Sequence, residues 1–178
     1  AGLLALRQAI ARYLARTEGL SYDPASQIVV TPGAMGALFL ALKVLLNPGD
    51  EVIVNEPCWT NYIQQIRMCG GVPVSVKTDA QRGFDLDVSA VAETITSKTK
   101  AIILNSPCNP TGAVASAETL SQLAKLAQER DLVVLADEVY KHILFDGRTY
   151  TGFATLPGMK ERTLVIDSLS KTYAMTGW

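Results

Sequence analysis

The sequence predicts an α/β fold, a three-layer sandwich in which helices cover both faces of a mostly parallel sheet. Short apolar segments alternate along the chain with stretches of helical period. The short segments are rich in β-branched residues and apolar at successive positions, as strands are when both faces are buried. The connections are short, which favours right-handed strand–helix–strand units.

Six segments have this strand character. They are bounded by turn residues and each is five residues long, which suits buried strands better than helices. The predicted strands are residues 27–31, 51–55, 72–76, 101–105, 132–136 and 163–167.

Helical periods occupy most of the intervals between these strands. Ser116 is a suitable N-cap for one of them, because its hydroxyl can accept a bond from the first turn. The long segment 140–162 is predicted to be irregular. The apolar faces of the helices are marked by Leu3, Leu6, Ile10 and Leu14; by residues 35–46; by Trp59, Ile63 and Ile66; by Val88, Val91 and Ile95; and by Leu120, Leu123 and Ala127.

Length and composition narrow the class of protein. The chain has 178 residues, enough for one domain, and its net charge of −1 argues against a nucleic-acid or anionic-membrane partner. The longest apolar stretch, 37–46, is too short to span a bilayer. Cys58, Cys69 and Cys108 show no metal-binding or disulfide spacing, so we expect idle thiols, no metal site and a cytoplasmic protein. The one histidine, His142, is expected to be structural or exposed.

In open parallel sheets, ligands bind beyond the carboxyl ends of the strands, so the residues after each strand carry the functional signal. Gly33, Ala34 and Met35 open a helix after the strand 27–31, where free backbone N–H groups can hold a phosphate. The same glycine could serve only the turn. Asn109 follows the strand 101–105 in a turn of common composition.

Two charged residues also follow predicted strands. Asp137 comes directly after an apolar strand, where a carboxylate needs a partner, although a helix cap or an ion pair would also explain it. Lys171 could be a solvated surface residue. Its apolar neighbours Leu169, Tyr173 and Met175 instead indicate a desolvated amine, which is the form that acts as a nucleophile.

Four ordered motifs resemble the class I/II aminotransferases, a family of fold-type-I enzymes that use pyridoxal 5′-phosphate (PLP). The motifs are TPGAMGA at 31–37, NPTG at 109–112, ADEVY at 136–140 and SLSKTYAMTGW at 168–178. They cover nearly the whole chain, and SLSK followed by TGW is the most specific.

The resemblance implies a role for each residue at the ring of the cofactor. Lys171 would hold PLP as a Schiff base and move the proton between substrate Cα and cofactor C4′. Asp137 would keep the pyridine nitrogen protonated, and Asn109 and Tyr140 would bond the phenolic oxygen. Trp59 would stack on the ring, although a core position would also explain this aromatic residue.

The resemblance also assigns the phosphate to the turn at Gly33, the N–H groups of Ala34 and Met35, and the hydroxyls of Ser168 and Ser170. Many relatives carry a hydroxyl residue at the Met35 position, so one contact is expected to be missing. By the same resemblance, we expect two arginines after Trp178. We also expect a strand there that would insert between 27–31 and 163–167. A tyrosine that reaches the phosphate of the second subunit is expected before Ala1.

The resemblance therefore predicts that residues 1–178 are the large cofactor-binding domain, truncated at both ends, without the C-terminal small domain. We expect a homodimeric transaminase that acts on an amino acid and a 2-oxo acid. Two alternatives share the same residues: a PLP-dependent carbon–sulfur β-lyase, and an aminotransferase-like effector domain of a transcription regulator.

Overall fold

The computed structural model describes residues 1–177 and contains one parallel sheet of five strands in the order β2-β1-β3-β4-β5. Apolar β-branched runs form these strands, and every neighbouring pair is parallel. The predicted mostly parallel sheet is therefore confirmed. The strands are β1 (Glu51–Glu56), β2 (Val72–Lys77), β3 (Thr99–Asn105), β4 (Val133–Asp137) and β5 (Thr163–Ile166).

Six helices accompany the sheet in the described residues. Ser116 caps its helix as predicted, because its hydroxyl accepts a hydrogen bond from the Thr119 amide. The segment 140–162 is irregular apart from two short 3₁₀ turns, as expected. The helices are α1 (Leu4–Glu18), α2 (Gly33–Leu45), α3 (Asn61–Met68), α4 (Val88–Thr94), α5 (Ala117–Glu129) and α6 (Leu169–Thr172).

Helices pack on both faces of the sheet, which confirms the three-layer sandwich. Side chains alternate along each strand, so Val52 and Val54 face α2 and α3, whereas Ile53 faces the opposite side. On that opposite side the sheet packs against α4 and α5, including the fully buried Leu123. Each face thus has its own apolar core.

The chain reverses its direction across the sheet between β1 and β3. It leaves β1 through α3 to the edge strand β2, and it leaves β3 through α5, on the other face, toward β4. In parallel sheets the crevice at such a switch point, beyond the carboxyl ends of the strands, is the usual ligand site. The residues after β1, β3 and β4 therefore meet where the sequence placed the functional signal.

Two local predictions were wrong. Residues 27–31 form no strand, because a strand needs a hydrogen-bonded neighbour and the Val30 amide bonds only to the Ala1 carbonyl in the described residues. Trp59 was expected on a helix face, but α3 begins at Asn61 and Trp59 lies in the connection before it. None of the helices in the described part of the chain is long and apolar enough to cross a membrane.

Candidate active site

Asp137, the last residue of β4, is a buried carboxylate with two donors. The Tyr62 hydroxyl donates to its Oδ2 at 2.5 Å, and the Val139 amide donates to its Oδ1 at 3.4 Å. No Lys, Arg or His forms an ion pair with it among residues 1–177. Burial raises the pKa of Asp137, and the Tyr62 hydrogen bond opposes that rise. A structural ion pair therefore does not explain this carboxylate.

The aromatic residues beside Asp137 come from the segment after β1. Tyr62, on the first turn of α3, is 2% exposed, and Trp59 packs its ring edge-on against it with centroids 5.5 Å apart. The half-buried Trp59 thus contacts the tyrosine that is hydrogen-bonded to the Asp137 carboxylate. Tyr62 was not predicted as a site residue, although its position three residues after Trp59 was a usable signal.

Asn105, the last residue of β3, ties two predicted site residues together. Its side-chain amide donates to the Asp137 carbonyl at 3.0 Å and to the Pro107 carbonyl at 3.2 Å. Its Oδ1 accepts the Asn109 backbone amide at 2.8 Å. The loop that carries Asn109 is therefore fixed to the end of β4. Asn105 ends the predicted strand 101–105, where functional residues were expected, but no role was predicted for its side chain.

Asn109, Tyr140 and Lys171 lie together at the same edge of the sheet. The Asn109 amide donates to the Tyr140 hydroxyl at 3.4 Å, and the Lys171 ammonium lies 5.8 Å from the centroid of the Tyr140 ring. The predicted apolar setting of Lys171 is wrong for the described residues: Lys171 is exposed, and Leu169 and Tyr173 are 44% and 56% exposed. The short helix α6 follows β5, which is an edge strand of the sheet in the described part of the chain.

The N-terminus of α2 is an uncapped helix end beside α3. Gly33 begins the helix with a left-handed φ of 71°, and no side chain among residues 1–177 caps the first turn. Ala34 and Met35 follow, and Gln65 of α3 holds the Met35 carbonyl at 3.2 Å. The first backbone N–H groups of α2 therefore remain available to an anion.

Ser168 and Ser170 lie at the N-terminus of α6, next to Lys171 in sequence. The Ser168 hydroxyl accepts the Ser170 amide at 3.1 Å, so it acts as the N-cap of this short helix. Because a hydroxyl can accept and donate together, the Ser168 O–H stays free to donate to a second partner.

A buried charged cluster, which the sequence analysis did not predict, lies beside this site. Lys141, whose side chain is 1% exposed, bonds Glu18 at 2.7 Å and Asp167 at 2.8 Å. Although burial lowers the pKa of Lys141, the two carboxylates raise it above its ordinary value. The neighbouring His142 is exposed as expected and shares a hydrogen bond with the Tyr13 hydroxyl. The three cysteines are free thiols.

The fold and the site define a protein of the fold-type-I class, with a carboxylate, an amide–phenol pair and a lysine at the carboxyl edge of a parallel sheet. The chain belongs to the family Aminotransferase class I and II, whose sequence model matches residues 1–178.

Individual relatives agree with this family. The Bacillus subtilis protein YugH, which carries a provisional aminotransferase name, is 47% identical over 178 residues, covering 100% of this chain and 46% of its own length. The aspartate/prephenate aminotransferase of Thermus thermophilus is 43% identical over 100% of this chain and 45% of its own. The crystal structure of an aromatic aminotransferase from Pyrococcus horikoshii superimposes with a TM-score of 0.97 at 42% identity, covering 99% of this chain and 47% of that one. The chain thus spans about half the length of these relatives.

Proposed function

We propose that the protein containing this chain is a PLP-dependent aminotransferase that moves an amino group between an amino acid and a 2-oxo acid. The observation that carries the proposal is the convergence of Asp137, the Asn109–Tyr140 pair and Lys171 beyond the ends of β3, β4 and β5. Family membership and the names of the relatives support the same activity.

The donors and acceptors present fit PLP. The uncapped end of α2 at Gly33, Ala34 and Met35 suits a phosphate, together with the hydroxyls of Ser168 and Ser170. The carboxylate of Asp137 suits a protonated pyridine nitrogen, because a charge-assisted hydrogen bond to an anion is stronger than one to an amide. When bound, PLP supplies a ring that accepts electrons from the substrate carbon.

The remaining residues would hold and orient the ring and move a proton. Asn109 and Tyr140 would bond the phenolic oxygen, and Trp59 would cover the ring face. Lys171 would form the covalent link, and its Nζ would then act as the base at the substrate Cα. The 5.8 Å between this Nζ and the Tyr140 ring brings the amine beside the phenol that is proposed to hold the ring oxygen.

We further propose that these residues form the large cofactor-binding domain of a homodimeric, cytoplasmic enzyme with a separate small domain. The 46% coverage of the relatives supports a larger protein. Several apolar side chains are exposed, among them Val44 at 89% and Phe145 at 73%, which is consistent with surfaces that other parts of the assembly cover. The free cysteines suit a reducing compartment.

The test is performed on the full-length protein. Borohydride treatment of the purified protein should add the mass of reduced PLP to the peptide that contains Lys171. Lys171→Ala should lose the label, whereas the matched change at the exposed Lys125 on α5 should keep it. Labelling of a different lysine would contradict the assigned site.

A product assay then separates the reaction classes. Aspartate and an aromatic amino acid are offered with a 2-oxo acid, because the relatives' names include both kinds of substrate. A new amino acid formed from the acceptor supports transamination. Pyruvate and ammonia from a sulfur-containing amino acid would instead indicate a β-lyase, and bound PLP without turnover would indicate an effector domain.

A further inference from the structure

Tyr62 is a buried tyrosine whose one polar atom points to the site carboxylate. It is 2% exposed, and its hydroxyl donates to Asp137 Oδ2 at 2.5 Å across 75 positions of sequence. In the apolar core beside α3, a phenylalanine would fill the same space without a polar group to satisfy. The contribution of the hydroxyl is therefore its hydrogen bond to the Asp137 carboxylate.

The Tyr62 hydrogen bond is the short one of the two that Asp137 accepts. The other, from the Val139 amide to Oδ1, is 3.4 Å long, and no cation lies in ion-pair range of Asp137 among the described residues. Burial raises the pKa of the Asp137 carboxyl, and the Tyr62 hydrogen bond is the largest influence that lowers this pKa. Without Tyr62, this carboxylate would lose its main stabilising donor.

We propose that Tyr62 is a positioning residue that orients Asp137 and keeps its carboxylate ionised toward the ring nitrogen of PLP. The proposal rests on the function proposed above. A carboxylate oxygen has two lone pairs, so Oδ2 can accept the Tyr62 hydroxyl while Asp137 still accepts the ring N–H. A proton shared by the ring nitrogen and the carboxylate stays on nitrogen only while the carboxylate is the weaker base.

The helix α3 links this device to the other parts of the site. Trp59 packs edge-on against the Tyr62 ring, and Gln65, one turn further along α3, holds the Met35 carbonyl at the start of α2. A shift of Tyr62 would therefore also move the aromatic residue proposed to cover the ring. Through these contacts, α3 connects the start of α2, which is proposed to hold the phosphate, with Asp137.

The test uses full-length protein loaded with PLP carrying ¹⁵N in the ring, and its readout is the ¹⁵N chemical shift. In Tyr62→Phe, we expect the proton to move toward the carboxylate, and the signal to move toward that of neutral pyridine. Loss of a hydrogen bond to a charged group corresponds to about a tenfold to hundredfold change in the proton equilibrium. Replacement of Tyr62 by 3-fluorotyrosine, a stronger donor, should move the signal the opposite way.

The opposite ¹⁵N shifts expected for the two Tyr62 variants distinguish a positioning role from a purely packing role. A purely structural role would shift both variants in the same direction or neither, and either result would overturn the proposal. Tyr22→Phe is the matched control, because the buried Tyr22 hydroxyl has no hydrogen-bond partner in residues 1–177, and this change should leave the signal unmoved. Failure of the wild-type protein to bind PLP at Lys171 would overturn the proposed function and this inference together; normal binding with an unmoved signal would overturn only the inference.

Discussion

Glu138→Gln should stabilise the protein at neutral and alkaline pH. Glu138 is 3% exposed, its Oε1 accepts the Phe153 amide at 3.1 Å, and its Oε2 has no partner in the described residues. Burial raises its pKa from 4.5 to about 7. The folded protein therefore holds a carboxyl that prefers to be neutral, and a glutamine has nearly the same shape without the charge.

The sign of the pH dependence follows from the two states. Below pH 4.5 the Glu138 carboxyl is protonated in both the folded and the unfolded chain, so it adds no penalty. As the pH rises toward 7, the unfolded chain releases the proton and the folded chain keeps it, so stability falls. Above pH 7 the penalty is constant, at about 3 kcal/mol.

The assay is urea unfolding of the full-length apoprotein between about pH 5 and about pH 8, followed by fluorescence and circular dichroism to establish a single transition. The stability of Glu138→Gln minus that of the wild type should rise by about 2 to 3 kcal/mol across this range. Glu93→Gln, at an exposed position, should change stability by less than about 0.5 kcal/mol throughout. Parallel curves for Glu138→Gln and the wild type would refute the reasoning.

Two further changes test Asp137 and Lys141, which lie close to Glu138 in the sequence. Under the proposed function, Asp137→Asn should keep PLP bound but lower kcat by on the order of a hundredfold, with a smaller effect on KM, because an amide cannot hold the ring nitrogen protonated. Near-normal steady-state kinetics would leave Asp137 a structural role only. Lys141→Met should lower the free energy of unfolding, measured in urea, by about 3 kcal/mol, because it leaves two carboxylates near the core without their cation. A loss below about 1 kcal/mol would show that water screens these carboxylates.

The fold was largely predictable because its determinants are local. Five of the six predicted strands exist, since a run of β-branched apolar residues encodes a buried parallel strand within its own few positions. Residues 27–31 have the same composition, but strand formation depends on a hydrogen-bonded neighbour, which composition does not encode. Trp59 was placed on α3 because apolar periodicity locates a helix better than it locates the first residue.

The candidate site was predictable only where the topology of the sheet determines which residues lie together. In a parallel sheet, the residues after successive strands meet at one edge, and this placed Asp137 beside the Asn109 loop without any knowledge of contacts. The roles of the Tyr62 and Asn105 side chains were not predicted, because they depend on hydrogen bonds to Asp137, which lies far along the chain. The burial of Lys141 was not predicted for a related reason. A lysine is normally exposed, and the carboxylates that permit its burial come from α1 and from the end of β5, which meet only in the folded chain.

At this edge of the sheet, a proposed site residue, Asp137, lies next to Glu138, a residue that affects stability. Consecutive residues of an extended chain point to opposite faces, so Asp137 meets Tyr62 on one side while Glu138 meets the Phe153 amide on the other. The Glu138 amide bonds the Ile166 carbonyl, which continues the pairing of β4 with β5 up to the segment that carries Lys171. The backbone that positions the carboxylate and the amine of the proposed site therefore also carries a buried carboxyl that lowers stability above pH 7. Suppose that Glu138→Gln stabilises the protein and lowers kcat. The destabilising Glu138 carboxylate would then have a positioning role, because its loss would disturb Asp137 and Lys171.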